Sequence, residues 1–217
     1  MASELNLSQP AVNYFLSAVV DILHFCVYPE LISLSAEMVN RRTPHGLQRN
    51  HKLIVDLTFI AIPEPYDSEQ RKAYYHAKSS TNYALKVQVA CDFHHRIEHV
   101  SECYHGSVRD ITILRESDLL EHVNDSVQII AAKDMLAKIT PRKKPHGRKL
   151  TNEDKNFNRD INSATAAIEN INQRFKTYAI LGGIYRGATG DFYKATKIVQ
   201  VVSTLRNLNL NKHRIRK

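Results

Sequence analysis

Between Leu53 and Ile62 the chain reads LIVDLTFIAI, an apolar run with a single carboxylate, Asp56, in its middle. The run is far too short to cross a membrane and rich in the β-branched and large apolar residues that suit a buried strand. Side chains alternate on a strand, so Asp56 shares one face with Ile54, Thr58 and Ile60, while Val55, Leu57 and Phe59 point the other way. Apolar residues on both faces predict a central strand covered on two sides. A carboxylate in such a place needs a partner, because a buried, unpaired charge is costly or takes up a proton. Two partners suit it: a lysine or arginine of the same chain, or a metal ion.

The rest of the chain supplies what a covered strand requires. Its 217 residues are enough for one well-buried domain, and 43% hydrophobic content argues against wholesale disorder. Thirty Lys and Arg against 22 Asp and Glu leave a net charge of +8 and a pI near 9.4, which favours a polyanionic partner such as DNA. Cys26, Cys91 and Cys103 have no CxxC spacing, so reduced thiols are expected rather than a zinc site or a disulfide frame. The run from Tyr14 to Val27 is broken by Asp21 and His24, so no membrane span or secretory signal is expected, and an intracellular protein is.

Taken in order, the chain opens with two expected helices between Pro10 and Asn40. Ala11, Phe15, Ala18, Val19, Ile22 and Phe25 form an apolar face expected to cover the sheet or close its edge. A loop is expected from Arg41 to Lys52 and, after the Asp56 strand, a connection from Pro63 to Lys78. Ala84 to Asp92 alternates and predicts a half-exposed strand, returned by Ile97 to Tyr104 as a hairpin. His94, His95 and His99 cluster there and read as a solvated turn rather than a metal site. A helix is expected from Val108 to His122, with Asp110 favourably placed in its first turn, and VQIIAA (Val127 to Ala132) predicts a second buried strand.

The loop PRKKPHGRK, from Pro141 to Lys149, carries Arg142, Lys143, Lys144, Arg148 and Lys149, which could contact phosphates, act in nuclear import, or simply be solvated. Thr151 and Asp154 match a capping box that opens a long helix. Phe157, Ile161, Ala164, Ile168, Ile171, Phe175 and Tyr178 give that helix one apolar seam, with Glu169 at its margin. Ile180 to Asp191 reads as a glycine-rich loop before a last amphipathic helix and a basic tail.

A strand bearing Asp, a hairpin, a helix, a further strand and a helix bearing Glu follow the plan of a ribonuclease-H-like α/β fold: a mixed sheet flanked by helices. In that plan acidic residues distant in sequence meet at one end of the sheet. Phosphodiester cleavage or strand transfer uses two divalent ions about 4 Å apart. Carboxylates and water suit hard ions such as Mg²⁺. Acids drawn together without a cation repel by about 4 kcal/mol per close pair at an effective dielectric near 20.

VDLTFIAI, NYALKVQVACD, YHGSVRDITILRES, ITPRKKPHGRKLTNEDKNFN and AAIENINQRFKTYAILGGIYRG together resemble the DDE endonuclease domain of Harbinger/PIF-type transposases. The resemblance covers about Arg49 to Gly187 and implies a helical segment over residues 1–48, a DDE endonuclease-like domain over 49–187, and a C-terminal helix with a basic tail over 188–217. It implies a nuclease of the transposase type that uses Mg²⁺ or Mn²⁺ on DNA. Asp56 would be the first metal-binding Asp and Glu169 the closing Glu, ahead of Arg174 and Lys176, which with the basic loop would contact nucleic acid. Asp110 falls in the family's Gly-Ser-x-x-Asp signature, Gly106, Ser107 and Asp110, and is expected at the site as a catalytic, metal-binding carboxylate, the third beside Asp56 and Glu169 unless Asp134 takes that place.

One departure stands out. Ala132 occupies the place of the family's second Asp, and Asp134 could replace it from a shifted position. The alternative is therefore an inactive transposase-derived module that binds DNA or protein. Sequence-specific recognition is expected from a separate DNA-binding partner, an oligomer is compatible with the reading, and the nucleus is the expected compartment.

Overall fold

The computed structural model describes residues 8–32, 51–123, 127–131, 149–188 and 190–212. The apolar run forms β1 (His51–Ala61), an inner strand of a four-stranded mixed sheet. β2 (Ala84–Cys91) and β3 (Ile97–His105) follow as an antiparallel hairpin, and β4 (Val127–Ala131) lies parallel to β1 on its other side, giving the order β3-β2-β1-β4. Asp56 pairs with Val89 of β2. On the other flank the parallel register runs as far as Val55 beside Ala131, so β4 as described stops one residue short of the level of Asp56.

Helices cover both sides of this sheet. α6 (Asn152–Thr177) and α8 (Phe192–Lys212) lie against the face of Ile54, Ile60, Leu85, Val87, Val89 and Cys91. α4 (Asp110–Glu116) and α5 (Leu119–His122) cover the opposite face, packing Leu114 and Leu119 on Leu53, Val55 and Ala90. Thr151 and Asp154 exchange both hydrogen bonds of the expected capping box, which fixes the start of α6. Of the long seam, Ile168, Ile171 and Phe175 are buried, and each contributes about 1.5–3 kcal/mol on leaving water. Ile161 and Tyr178 pack partly against the same core.

β3 is an edge strand whose outer backbone groups would otherwise be free. Side chains of α8 satisfy them. Asn207 accepts from the Ile97 N–H at 2.9 Å and donates to the Ile97 carbonyl at 2.7 Å, and Thr196 accepts from Cys103 N–H at 2.9 Å. The sheet edge is thereby closed by a helix rather than left as a template for another strand.

Several expectations are corrected. β2 is buried along its whole length, because β1 and β3 flank it and helices cover both faces. Lys86 and Gln88, expected to face solvent, are instead held by Asp110 and by Ser117. The connection after β1 contains α3 (Ser68–Tyr74), started by Asp67, whose carboxylate accepts from Gln70 N–H at 2.9 Å. The helix expected over Val108 to His122 is two short helices, broken at Ser117 and at Asp118, whose φ of 59° is left-handed. The loop after Tyr178 holds the four-residue α7 (Ala179–Gly182).

At the start of the chain, α1 (Gln9–Cys26) runs into the four-residue α2 (Tyr28–Leu31) and packs on α8. Asp21 meets Lys197 at 2.6 Å and His24 meets Gln200 at 2.7 Å. Its expected inward stripe faces outward, since Val12 is the one fully buried residue of this helix. The remainder of the expected second helix and the Arg41 to Asn50 part of the loop lie outside the described residues. All three cysteines are free thiols.

Candidate functional site

The mid-strand position of Asp56 decides its chemistry. β1 points it toward α6, where Asn172 donates from Nδ2 to the Asp56 carboxylate at 3.1 Å. Burial raises the Asp56 pKa, the nearby Asp110 charge raises it further, and hydrogen bonds from the Leu57 backbone and Asn172, with the charge of Lys78, work against the rise. No Lys or Arg forms an ion pair with Asp56 among the described residues. Among the described residues the carboxylate is thus hydrogen-bonded by neutral donors in a half-buried place, with Lys78 acting on its charge without forming an ion pair.

Asn172 adds a second telling atom. Its Oδ1 is buried and has no hydrogen-bond partner among the described residues. An orphaned amide oxygen beside a desolvated carboxylate is costly without something electropositive to meet it. Glu169 stands three residues earlier on α6, on the adjoining turn of the helix, with its side chain exposed. Carboxylate and amide oxygens are the donors that Mg²⁺ and Mn²⁺ accept, so this corner fits a hard divalent ion. Among the described residues no group of three or more His, Cys, Asp or Glu comes together as a ready-made metal cluster. The ion would therefore rest on two or three protein oxygens and take its remaining ligands from water or phosphate.

Asp110 is placed differently. Lys86 lies on the opposite face of β2 from Val87 and Val89, and its ammonium reaches Asp110 at 3.0 Å and the Val108 carbonyl at 2.8 Å. Asp110 therefore approaches the sheet from the α4 side, whereas Asp56 faces α6. The two feel each other's charge, yet Asp110 already has a cation.

The preceding Gly106 has a packing reason: a Cβ there would stand 2.5 Å from the Tyr74 carbonyl oxygen and 2.7 Å from that of Ala84. Next to it, Ser107 N–H donates to the Ala73 carbonyl at 3.0 Å, locking the turn that delivers Asp110.

The basic residues divide likewise. Lys176 donates to the carbonyls of Phe59 and Leu181 and lies 4.5 Å from the Phe59 ring centroid, so it fastens the end of α6 to β1; burial lowers its pKa. Arg174, half-buried, donates to Asn170 at 2.7 Å. Lys149 is exposed ahead of α6. Asp134, Ala132, Arg142, Lys143, Lys144 and Arg148 lie outside the described residues.

Of the histidines, His94 is exposed, whereas His95 and His99 are half-buried and held below their ordinary pKa by burial, His99 down to about 4. Asn172 is the residue that sequence reasoning missed. Its only signal is its helical spacing from Glu169 and from the buried Ile168 and Ile171.

With this geometry in place, comparison with known proteins is informative. The family model described as DDE superfamily endonuclease matches residues 55–207. A protein of Microchaete diplosiphon named "Probable transposase for insertion sequence element IS702" is 29% identical over 143 residues, covering 62% of this chain and 49% of the relative. The chain thus spans about half the length of that relative. No solved structure matches.

Proposed function

The chain belongs to the DDE superfamily endonucleases, and from that premise we propose that it cuts or joins DNA phosphodiester bonds at the Asp56 corner of the sheet. Within the family we assign it to the Harbinger/PIF type, on Gly106-Ser107-x-x-Asp110 and the Glu169 to Lys176 segment, and we take the β3-β2-β1-β4 sheet as ribonuclease-H-like. The observation that carries the reading is the Asp56 carboxylate, without an ion-pair partner among the described residues, hydrogen-bonded to Asn172 on the helix that bears Glu169.

Asp56 and Glu169 would hold the divalent ion, with Asp134 as a third ligand replacing the Asp absent at Ala132. Such an ion polarises the scissile phosphate and lowers the pKa of an attacking water or hydroxyl. Asn172 orients the Asp56 carboxylate through its Nδ2. Asp110, tied to Lys86, stands near the site without serving as a ligand. Arg142, Lys143, Lys144, Arg148, Lys149 and Arg174 would track the DNA backbone, so affinity should fall as salt rises.

The test is plasmid cleavage in Mn²⁺ by wild type and by Asp56→Ala. Cleavage by the wild type that is lost in the variant supports the proposal; no cleavage, or cleavage indifferent to the substitution, removes it. Ala132 favours a second reading, a DNA-binding module without activity. That reading predicts salt-dependent DNA binding with no Mn²⁺ binding; cleavage gained in Ala132→Asp supports it, and Mn²⁺ binding abolished by Glu169→Ala removes it.

A further inference from the structure

The outward face of α1 carries an observation that the endonuclease site does not use. Tyr14, Phe15, Leu16, Val19, Ile22 and Phe25 are all exposed, Phe25 by 83%, Ile22 by 61% and Phe15 by 55%. α1 also lies outside the residues matched by the family model, which begin at 55. Weighted by their exposed fractions, the three aromatic and three aliphatic side chains offer roughly 700 Å² in all, against about 800 Å² per partner in a stable complex and 300–600 Å² for the largest patch on an ordinary monomer.

We propose that this face is a homodimer interface, in which α1 of one copy packs antiparallel on α1 of a second about a two-fold axis. Three features point to a second copy rather than a partner of different chemistry. First, the face carries no charge: the one charged side chain between Gln9 and Cys26 is Asp21, and it is turned away to Lys197 of α8. Two identical uncharged faces meet without repulsion, whereas a charged partner would find nothing to pair with.

Second, Ala11, Phe15, Ala18, Ile22 and Phe25 recur at steps of four and three, the spacing of a helix-to-helix seam. Third, the sizes along this seam complement themselves. With the axis near Ala18, Phe25 of one copy meets Ala11 of the other and Phe15 meets Ile22, so large residues face small ones at the ends and Ala18 lets the helices approach at the centre. Among the described residues Phe15, Ile22 and Phe25 are exposed, and Ala11 and Ala18 between them are half-exposed.

Sedimentation velocity on the full chain is the first measurement. The proposal expects a species of twice 24.8 kDa at micromolar concentration, converted to monomer by the double substitution Phe15→Glu and Ile22→Glu with the helical circular dichroism unchanged. Orientation is read by Ala18→Cys in a Cys26→Ala background, where mild oxidation should cross-link the two copies through position 18. A wild type that is monomeric throughout overturns the proposal, and would leave another segment of the polypeptide or a different protein as the occupant. A dimer that survives both glutamates overturns it too. Cross-linking through native Cys26 but not through position 18 overturns the antiparallel arrangement.

Discussion

Asp56 and Asp110 stand on opposite faces of the same sheet, and their surroundings differ in one respect that decides their roles. Asp110 lies 3.0 Å from Lys86, so its charge is balanced by the chain itself. Asp56 has hydrogen bonds from amides but no ion pair among the described residues, and burial holds its pKa up. A balanced acid stabilises the fold, whereas an unbalanced one weakens it unless something from outside supplies the countercharge. The proposed roles of the two acids thus follow from whether the chain itself supplies an ion-pair partner, and not from nearness to the site or a place in a family signature.

The sharpest way to break this contrast is activity. Asp56→Ala should lower DNA cleavage by about 100-fold or more, the scale expected when a charge-stabilising group is lost from an active site. Asp110→Asn should leave at least a tenth of the wild-type rate. Equal loss in both variants would erase the distinction.

Acid stability sharpens it further, because the α4/α5 side carries a group of its own. His99, beside Ala90 in the β2–β3 pairing, has its pKa pushed down to about 4 by burial. Its contribution is complete above the ordinary histidine value of 6.5 and is lost as pH falls from there toward 4, worth on the order of 3 kcal/mol. His99→Gln should flatten that part of a pH-stability curve measured by urea unfolding.

Thermal and urea unfolding should next show Asp110→Asn costing about 1–2 kcal/mol, since Lys86 is left mostly buried and the pair is only partly screened. Lys86→Met added to that variant should recover part of the loss. The smallest effect has the opposite sign. Asp56 has a raised pKa, so its penalty is present above that pKa and absent once both folded and unfolded forms are protonated. Asp56→Asn should therefore raise the melting temperature at neutral pH, and the gain should vanish as pH falls below the ordinary carboxylate range.

How much of this was legible in the sequence follows from what each residue needed to find. Alternation and apolar content placed β1, the β2–β3 hairpin and the start of β4, because strand pairing writes itself into local pattern. The Thr151 to Asp154 capping box was equally local. β2 was misjudged because Lys86 and Gln88 look solvated until Asp110 and Ser117, more than twenty residues away, are brought to them. α3 was hidden between Pro65 and Lys78, in a stretch too short and polar to show a periodic face, though Asp67 followed by Glu69 was a usable start signal.

The α1 stripe showed the right period, but period alone does not say which neighbour a face meets. Asn172 had no signal of its own. Its role exists only where α6 crosses β1, over a hundred residues away in the chain.

The central claim is that Asp56 keeps its charge for a cation, and isothermal titration of the protein with Mn²⁺ tests it most directly. The account predicts binding that strengthens as pH rises and Asp56 loses its proton, disappears in Asp56→Ala, weakens in Glu169→Gln, and persists in Asp110→Asn. Binding that is absent from the wild type, or unchanged in Asp56→Ala, would contradict it.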